Sequence, residues 1–153
     1  ISEWKKVFNI NVFSHLEIFN HFLPIMKDND KSNKVIFIAG GGAASAFDKF
    51  PAYSASKTAI VRSVENLSKR YEEDKLSIFA IAPGAIETKM LSKVLEKTSV
   101  GTKTSKEELY VFIKYYLENI SDKLNGKLVH IRDDKIAIEK STDQNYLKLR
   151  RVE

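Results

Sequence analysis

Two short apolar runs place the strongest constraint on what this chain can fold into. Residues 34–39 read Lys-Val-Ile-Phe-Ile-Ala and are closed by three glycines, and residues 76–82 form a second run that stops at a Pro-Gly pair. Continuous apolar runs of this length are typical of strands buried on both faces, as in parallel sheets. Between them, Pro51 precedes a segment, 52–73, whose apolar residues keep helical spacing. The sequence therefore predicts a strand-helix-strand unit.

Further elements extend this pattern in both directions. Residues 2–27 carry apolar side chains three and four positions apart and predict a long amphipathic helix. A short helix over 88–95 and a longer one over 105–121 are predicted next, the second with Ser105 and Glu108 as a capping box. Residues 127–132 are a third candidate strand. The order of elements predicts one α/β domain over 1–153, with a parallel sheet and helices on its faces.

Composition excludes several classes of protein. The chain has 153 residues and no cysteine, which rules out disulfides and thiolate metal sites and favours a reducing, cytoplasmic location. No apolar run reaches the roughly 18 residues that a membrane span needs. The 25 basic and 20 acidic residues are interspersed, so we expect no nucleic-acid partner despite the net charge of +5. We expect no metal site, because the three histidines lack zinc-type spacing (His15, His21, His130).

Tyr53 and Lys57 are the leading candidates for chemistry. They lie four residues apart in the first turns of a predicted helix, so both side chains project from one face. An adjacent cation favours phenolate, which predicts a lowered tyrosine pKa suited to acid–base work. The spacing alone is weak evidence, because Tyr110 and Lys114 repeat it in mid-helix with no glycine-rich strand end before them. We interpret that second pair as a surface feature.

The sequence around Tyr53 resembles the classical short-chain dehydrogenase/reductase family. The resemblance lies in Tyr53-Ser-Ala-Ser-Lys57, a following strand, and then Pro83-Gly-Ala-Ile-Glu-Thr88. It extends upstream to Val7-Phe-Asn-Ile-Asn-Val12 and downstream to Leu124-Asn-Gly-Lys-Leu-Val129, and so covers essentially all of residues 1–135. It implies that the chain is the C-terminal part of a doubly wound, Rossmann-type parallel sheet.

The resemblance also implies an activity and a site. Tyr53 would exchange a proton with the substrate oxygen while hydride passes to or from NAD or NADP, and Lys57 would lower its pKa and hydrogen-bond the nicotinamide ribose. Asn11 would hold a water in the proton relay. A small carbonyl or alcohol substrate is implied, with a mobile substrate loop at about 89–104, a tail over 136–153, and a homodimer or tetramer formed through helices 2–27 and 52–73. The remaining cofactor contacts would come from Pro83, Gly84, Ile86 and Thr88.

Two departures from the family pattern bear on catalysis. The family's usual serine, thirteen residues before the tyrosine, is replaced by Gly40, preceded by Ala39, and Ser45 is the nearest hydroxyl on the loop. The glycine-rich cofactor turn is not in this sequence, and the resemblance places it before Ile1. We therefore keep two hypotheses: an NAD(P)-dependent oxidoreductase acting on secondary alcohols and ketones, and a catalytically silent relative that serves as a binding or assembly module.

Overall fold

The computed structural model describes residues 1–28, 31–88, 91–92, 102–119 and 121–140. A three-stranded parallel sheet lies at its centre, in the order β1 (Asn33–Ile38), β2 (Leu76–Ala82), β5 (Leu128–His130). The predicted α/β class is confirmed. In chain order the elements are α1 (Ser2–Phe8), a π-helical turn (Asn9–Phe13), α2 (Ser14–Lys27), β1 (Asn33–Ile38), α3 (Pro51–Arg70), β2 (Leu76–Ala82), β3 (Ala85–Ile86), β4 (Lys103–Thr104), α4 (Lys106–Asn119), β5 (Leu128–His130) and α5 (Lys135–Lys140).

Helices cover both faces of the sheet, as predicted. On one face, Phe19 of α2 and Ile60 of α3 pack with Phe37 and Ile78 in a common core. The opposite face is covered by α4, where Phe112, Tyr116 and other buried side chains pack against the sheet. Alternate residues of β2 point to the two cores, because successive side chains of a strand face opposite sides.

The two apolar runs differ in burial. All seven residues of β2 are buried, as expected for a central strand. In β1, by contrast, Phe37 alone is fully buried and Ile38 is 39% exposed, so the prediction of a strand buried on both faces is wrong for β1 in the described part of the chain. The physical reason is its position, since β1 lies at the edge of the described sheet and pairs with β2 on one side.

The long helix predicted over 2–27 is present but is not a regular α-helix. Its α-helical parts are separated by the π-helical turn Asn9–Phe13, where the backbone is locally wider. The hydroxyl of Ser14 donates to the carbonyl of Ile10 at 2.6 Å across this turn. Side-chain periodicity did not reveal the turn, because one widened turn changes the apolar spacing very little.

The C-terminal third departs from prediction in its details. The capping box of α4 is confirmed, with Ser105 Oγ accepting from the Glu108 amide at 3.0 Å and Glu108 Oε2 accepting from the Ser105 amide at 2.7 Å. The third strand is shorter than predicted, and α5 occupies the start of the segment expected to be a tail. Most of the predicted substrate loop, most of the 88–95 helix and residues 141–153 lie outside the described residues. Among the residues that the structure describes, no helix has the length and apolar content to cross a bilayer.

Candidate active site

The carboxyl ends of β1 and β2 meet at one edge of the sheet. The pairing continues one residue beyond β1, where the amide of Ala39 donates to the carbonyl of Ile81 at 2.8 Å. Gly40 follows, and the chain then makes a short 3₁₀ turn over Gly41–Ala43. Ser54 in the first turn of α3 donates its hydroxyl proton to the carbonyl of Gly42 at 2.6 Å. This hydrogen bond joins the glycine-rich loop at the end of β1 to the first turn of α3.

Tyr53 lies directly against Gly40. A Cβ atom built on Gly40 would be 2.5 Å from the Tyr53 hydroxyl oxygen, which is closer than real Cβ contacts come. Gly40 has φ −179°, extended backbone that any residue can adopt, so the approach of Tyr53 is what excludes a side chain here. Gly40, which stands where the family usually has a serine, therefore lies beside the Tyr53 hydroxyl. The ring of Phe47 packs edge-on against the Tyr53 ring at a centroid distance of 6.4 Å.

Lys57 lies one turn further along α3 and is almost entirely buried, at 7% exposed. Its ammonium donates to the carbonyl of Ile38 at 3.0 Å, and Nζ is 5.8 Å from the centroid of the Tyr53 ring. Burial lowers the pKa of Lys57, because the charged form loses solvation. The structure thus brings the predicted pair together at the end of β1.

The pKa of Tyr53 moves in the direction opposite to the one expected from the neighbouring cation. Burial raises the Tyr53 pKa above 10.0, because the phenolate would be poorly solvated. The ammonium of neighbouring Lys57 donates to the carbonyl of Ile38, and burial disfavours its charge as well. In this structure desolvation dominates, so the predicted lowering of the Tyr53 pKa is wrong here.

Asn11 connects the π-helical turn to α3. Its side-chain amide donates to the hydroxyl of Ser56 at 2.9 Å, and Ser56 donates in turn to the backbone carbonyl of Tyr53 at 2.7 Å. Ser56 is fully buried. Sequence reasoning missed Ser56, whose signal is its place among the small residues of the first turns of α3. Asn11 therefore contacts the helix that carries Tyr53 and Lys57, through an intervening serine.

His15 is a titratable residue whose charge interacts with that of Lys57. It is half-buried, four residues after Asn11, and its Nδ1 lies 3.4 Å from the hydroxyl oxygen of Ser14. Burial lowers the pKa of His15, the charge of Lys57 lowers it further, and a bond to the Ile10 carbonyl acts in the opposite direction. No spacing rule links His15 to Lys57, because the two residues lie on separate helices.

The predicted cofactor residues after β2 border the same edge. Pro83 is buried, and Gly84 has φ +73°, a left-handed conformation that favours glycine. A Cβ on Gly84 would also lie 2.7 Å from Thr104 Oγ1, so glycine permits the close approach of β4. Ile86 pairs with Thr104 in the short β3–β4 ladder. Thr88 is exposed, and its hydroxyl oxygen accepts from the amide of Leu91 at 3.2 Å.

The alternative candidates lie elsewhere. Ser45 is exposed, and its hydroxyl donates to the carbonyl of Gly41 at 3.3 Å. Tyr110 is 65% exposed on α4, and Lys114 lies 4.0 Å from Glu118 in a surface ion pair. The two tyrosine–lysine pairs therefore differ in burial and in neighbours although their spacing is identical. The described residues contain no cluster of three or more histidine, aspartate or glutamate side chains able to hold a metal.

Known proteins are similar to this chain in sequence. The family model for short chain dehydrogenases matches residues 1–99. Benzil reductase ((S)-benzoin forming) of Saccharomyces cerevisiae is 25% identical over 90% of this chain and 59% of its own length. An uncharacterized oxidoreductase of Schizosaccharomyces pombe is 29% identical over 87% of this chain and 49% of its own length. The chain thus spans about half to three fifths of the length of these relatives.

Solved structures share the fold. A 4-hydroxyisoleucine dehydrogenase complexed with NADH superimposes with a TM-score of 0.67 at 20% identity, over 83% of this chain and 56% of the other. A Shigella flexneri chain complexed with NADP gives a TM-score of 0.73 at 19% identity, over 84% of this chain and 53% of the other. With the family model covering well over half of the residues, the chain belongs to the short-chain dehydrogenase family of oxidoreductases.

Proposed function

We propose that the protein is an NAD(P)-dependent oxidoreductase that interconverts a secondary alcohol and a ketone, with Tyr53 as the acid–base group. One observation carries this proposal: the Tyr53 hydroxyl reaches the carboxyl end of β1 beside Gly40, next to a buried ammonium held by Ile38. Ligands of open parallel sheets bind outside the carboxyl ends of the strands. A phenol and an ammonium at that edge are suited to moving a proton to or from a substrate oxygen.

The residues at this edge fit the nicotinamide end of the cofactor. Lys57 offers a buried ammonium of the kind that binds ribose hydroxyls, and β3 brings the backbone of Ile86 to the same edge. A glycine-rich turn that would bind pyrophosphate after a first strand is not part of this sequence. We therefore assign the nicotinamide half to the described residues and leave the choice between NAD and NADP open.

In the proposed reaction, the bound cofactor supplies or accepts the hydride. During ketone reduction, Tyr53 donates its phenol proton to the carbonyl oxygen as the C–H bond forms. A raised Tyr53 pKa keeps the phenol protonated at neutral pH, which suits this direction. Lys57 lies close enough to stabilise the phenolate that remains. Gly40 leaves no hydroxyl at the strand end, so Tyr53 is the hydroxyl donor that we assign to the carbonyl.

We also propose that the first helix and α3 form a homodimer or tetramer interface, and that the protein works in the cytoplasm. The support for the interface is a set of exposed apolar side chains on the π-helical turn and α2, at positions that suit burial against another surface (Ile10, Phe13, Ile18, Phe22, Ile25). The support for the location is the lack of cysteine.

A turnover assay of the native protein tests the proposed activity. Oxidation of NADH and of NADPH would be followed over a panel of ketones that includes benzil, the compound named for the yeast relative. We expect turnover with one coenzyme, and its loss in Lys57→Met. Lys114→Met is the matched control, because Lys114 has the same spacing from a tyrosine on an exposed face.

Two results would contradict the proposal. The first is a folded wild-type protein that turns over no member of the panel. That result would favour the second hypothesis, a catalytically silent binding or assembly module, for which Gly40 in place of the usual serine is the reason. The second is equal activity in the two lysine variants. Circular dichroism of each variant separates loss of chemistry from loss of fold.

A further inference from the structure

Two phenylalanine rings lie beside Tyr53 on the loop that joins β1 to α3. The rings of Phe47 and Phe50 pack edge-on at a centroid distance of 5.1 Å, and Phe47 packs edge-on against the ring of Tyr53 at 6.4 Å. Neither phenylalanine belongs to the two cores that cover the sheet in the described part of the chain. Both side chains are only half-buried, so burial in a core does not account for their place next to Tyr53.

The backbone fixes this aromatic pair relative to the helix that carries Tyr53. The amide of Phe50 donates to the carbonyl of Phe47 at 3.0 Å and closes a four-residue turn. The carbonyl of Phe50 accepts in turn from the amide of Ser54 at 3.0 Å, in the first turn of α3. Because main-chain bonds hold the rings beside Tyr53, a ligand that binds there has little ordering of the loop to offset.

We propose that Phe47 and Phe50 bind an aryl group on the carbonyl carbon of the substrate, so that the protein favours aryl ketones and aryl carbinols, an inference that rests on the proposed function. When the substrate oxygen accepts the Tyr53 proton, the substituents of the carbonyl carbon are two bonds from that oxygen. Phe47 borders the Tyr53 ring on the loop side. The hydride and proton transfers are those of the proposed reaction, and the rings determine which ketones take part in it.

The geometry favours a flat aromatic group over a saturated group of equal size. Aromatic rings prefer edge-on and offset-stacked contacts at centroid distances of about 4.5–7 Å, because the negative face of one ring attracts the positive edge of another. Phe47 already makes such contacts with Phe50 and with Tyr53. The accessible parts of the two phenylalanine rings offer the same contact to an aryl group, whereas a saturated ring gains from burial alone. An aromatic pair adds about two- to tenfold in affinity beyond area burial.

Two ketones of matched size test this inference on the native protein, acetophenone and cyclohexyl methyl ketone. We expect Phe47→Leu to lower kcat/KM for acetophenone by about two- to tenfold, through KM, and to leave kcat/KM for cyclohexyl methyl ketone unchanged. Phe47→Tyr should keep the aryl preference, because it keeps an aromatic ring. Tyr110→Leu is the matched control, since Tyr110 is exposed on α4, and it should alter the rate with neither ketone. KM for the coenzyme should stay constant, because the rings are assigned to the substrate and not to nicotinamide.

A kcat/KM that is unchanged for both ketones in Phe47→Leu, or that falls equally for both, would overturn the inference and leave the proposed function standing. A second measurement does not depend on turnover. Binding of acetophenone, followed by saturation-transfer NMR, should weaken in Phe47→Leu and stay unchanged in Tyr110→Leu, and unaltered binding in Phe47→Leu would overturn the inference.

A wild type that turns over neither ketone would remove the proposed function, and the binding measurement would then decide whether the two rings hold an aryl group. Circular dichroism shows whether each variant is folded. Phe50→Leu provides a second variant with the same expected loss of aryl preference and of acetophenone binding, so that misfolding of Phe47→Leu still leaves the inference open to refutation.

Discussion

The contact between Gly40 and Tyr53 leads to a sharp prediction about stability and turnover. In Gly40→Ala the new Cβ would lie 2.5 Å from the Tyr53 hydroxyl oxygen, whereas the next nearest atom, Tyr53 Cζ, is 3.5 Å away. Ordinary van der Waals contact begins near 3.4 Å, so the hydroxyl must move by about 1 Å, as with other overpacked sites. Such overpacking typically costs about 1–3 kcal/mol in a well-packed core. We expect a value near 1 kcal/mol, because the ring can pivot.

Tyr53→Phe provides the matched background for this substitution. Removing the hydroxyl leaves Cζ at 3.5 Å, an ordinary contact, so Gly40→Ala should cost little in that background. The double-mutant cycle is therefore expected to give a coupling energy of about 1 kcal/mol in chemical denaturation. A displacement of about 1 Å at the acid–base group should also lower turnover by about 10²-fold. A coupling energy near zero, with wild-type turnover in Gly40→Ala, would refute the contact.

Three further predictions concern the fold around the site. Gly84→Ala should lower the free energy of unfolding by about 1–3 kcal/mol, because φ is +73° and the new Cβ would lie 2.7 Å from Thr104 Oγ1. Urea denaturation measures this loss, and an unchanged free energy of unfolding would contradict the close approach of Thr104 to Gly84. Ser105→Ala should cost about 1 kcal/mol through loss of the α4 cap, and an unchanged urea midpoint would argue against the capping box. Tyr116→Phe should cost little, because the buried Tyr116 hydroxyl has no hydrogen-bond partner among the described residues. Burial, with Asp133 and Asp134 adding, raises the pKa of Tyr116 to about 12, so wild-type stability should fall as pH rises from 10 toward 12. Tyr116→Phe should reduce that dependence but not abolish it, because the pKa of Tyr53 is raised as well. An identical alkaline slope in both proteins would contradict the assignment.

The fold was predictable from the sequence where the local residue pattern of a helix or strand matches its burial in the structure. The β2 run is buried along its whole length, and the capping box at Ser105 begins α4 as the sequence indicates. The edge position of β1 was not predictable, because an apolar run looks the same whether or not a neighbouring strand covers it. The two-residue ladder of β3 and β4 joins residues 18 positions apart and has no periodicity to read.

In the site, contacts within one helix were predictable from the sequence, whereas contacts between helices were not. Tyr53 and Lys57 share a helix, so their spacing alone was enough to predict that they lie together. The hydrogen bond of Asn11 with Ser56 joins separate helices, and helical spacing within one segment carries no information about it. The direction of the Tyr53 pKa also depends on the tertiary structure, because desolvation is set by how deeply the ring is buried.

The most direct test of Tyr53 as the acid–base group compares kcat/KM of Tyr53→Phe with that of Tyr110→Phe. Each variant removes one hydroxyl from a tyrosine followed four residues later by lysine, one at the strand ends and one on the exposed face of α4. We expect kcat/KM to fall by at least about 10²-fold in Tyr53→Phe and to stay at the wild-type value in Tyr110→Phe. Wild-type activity in Tyr53→Phe, or an equal loss in both variants, would contradict the assignment of Tyr53 as the acid–base group.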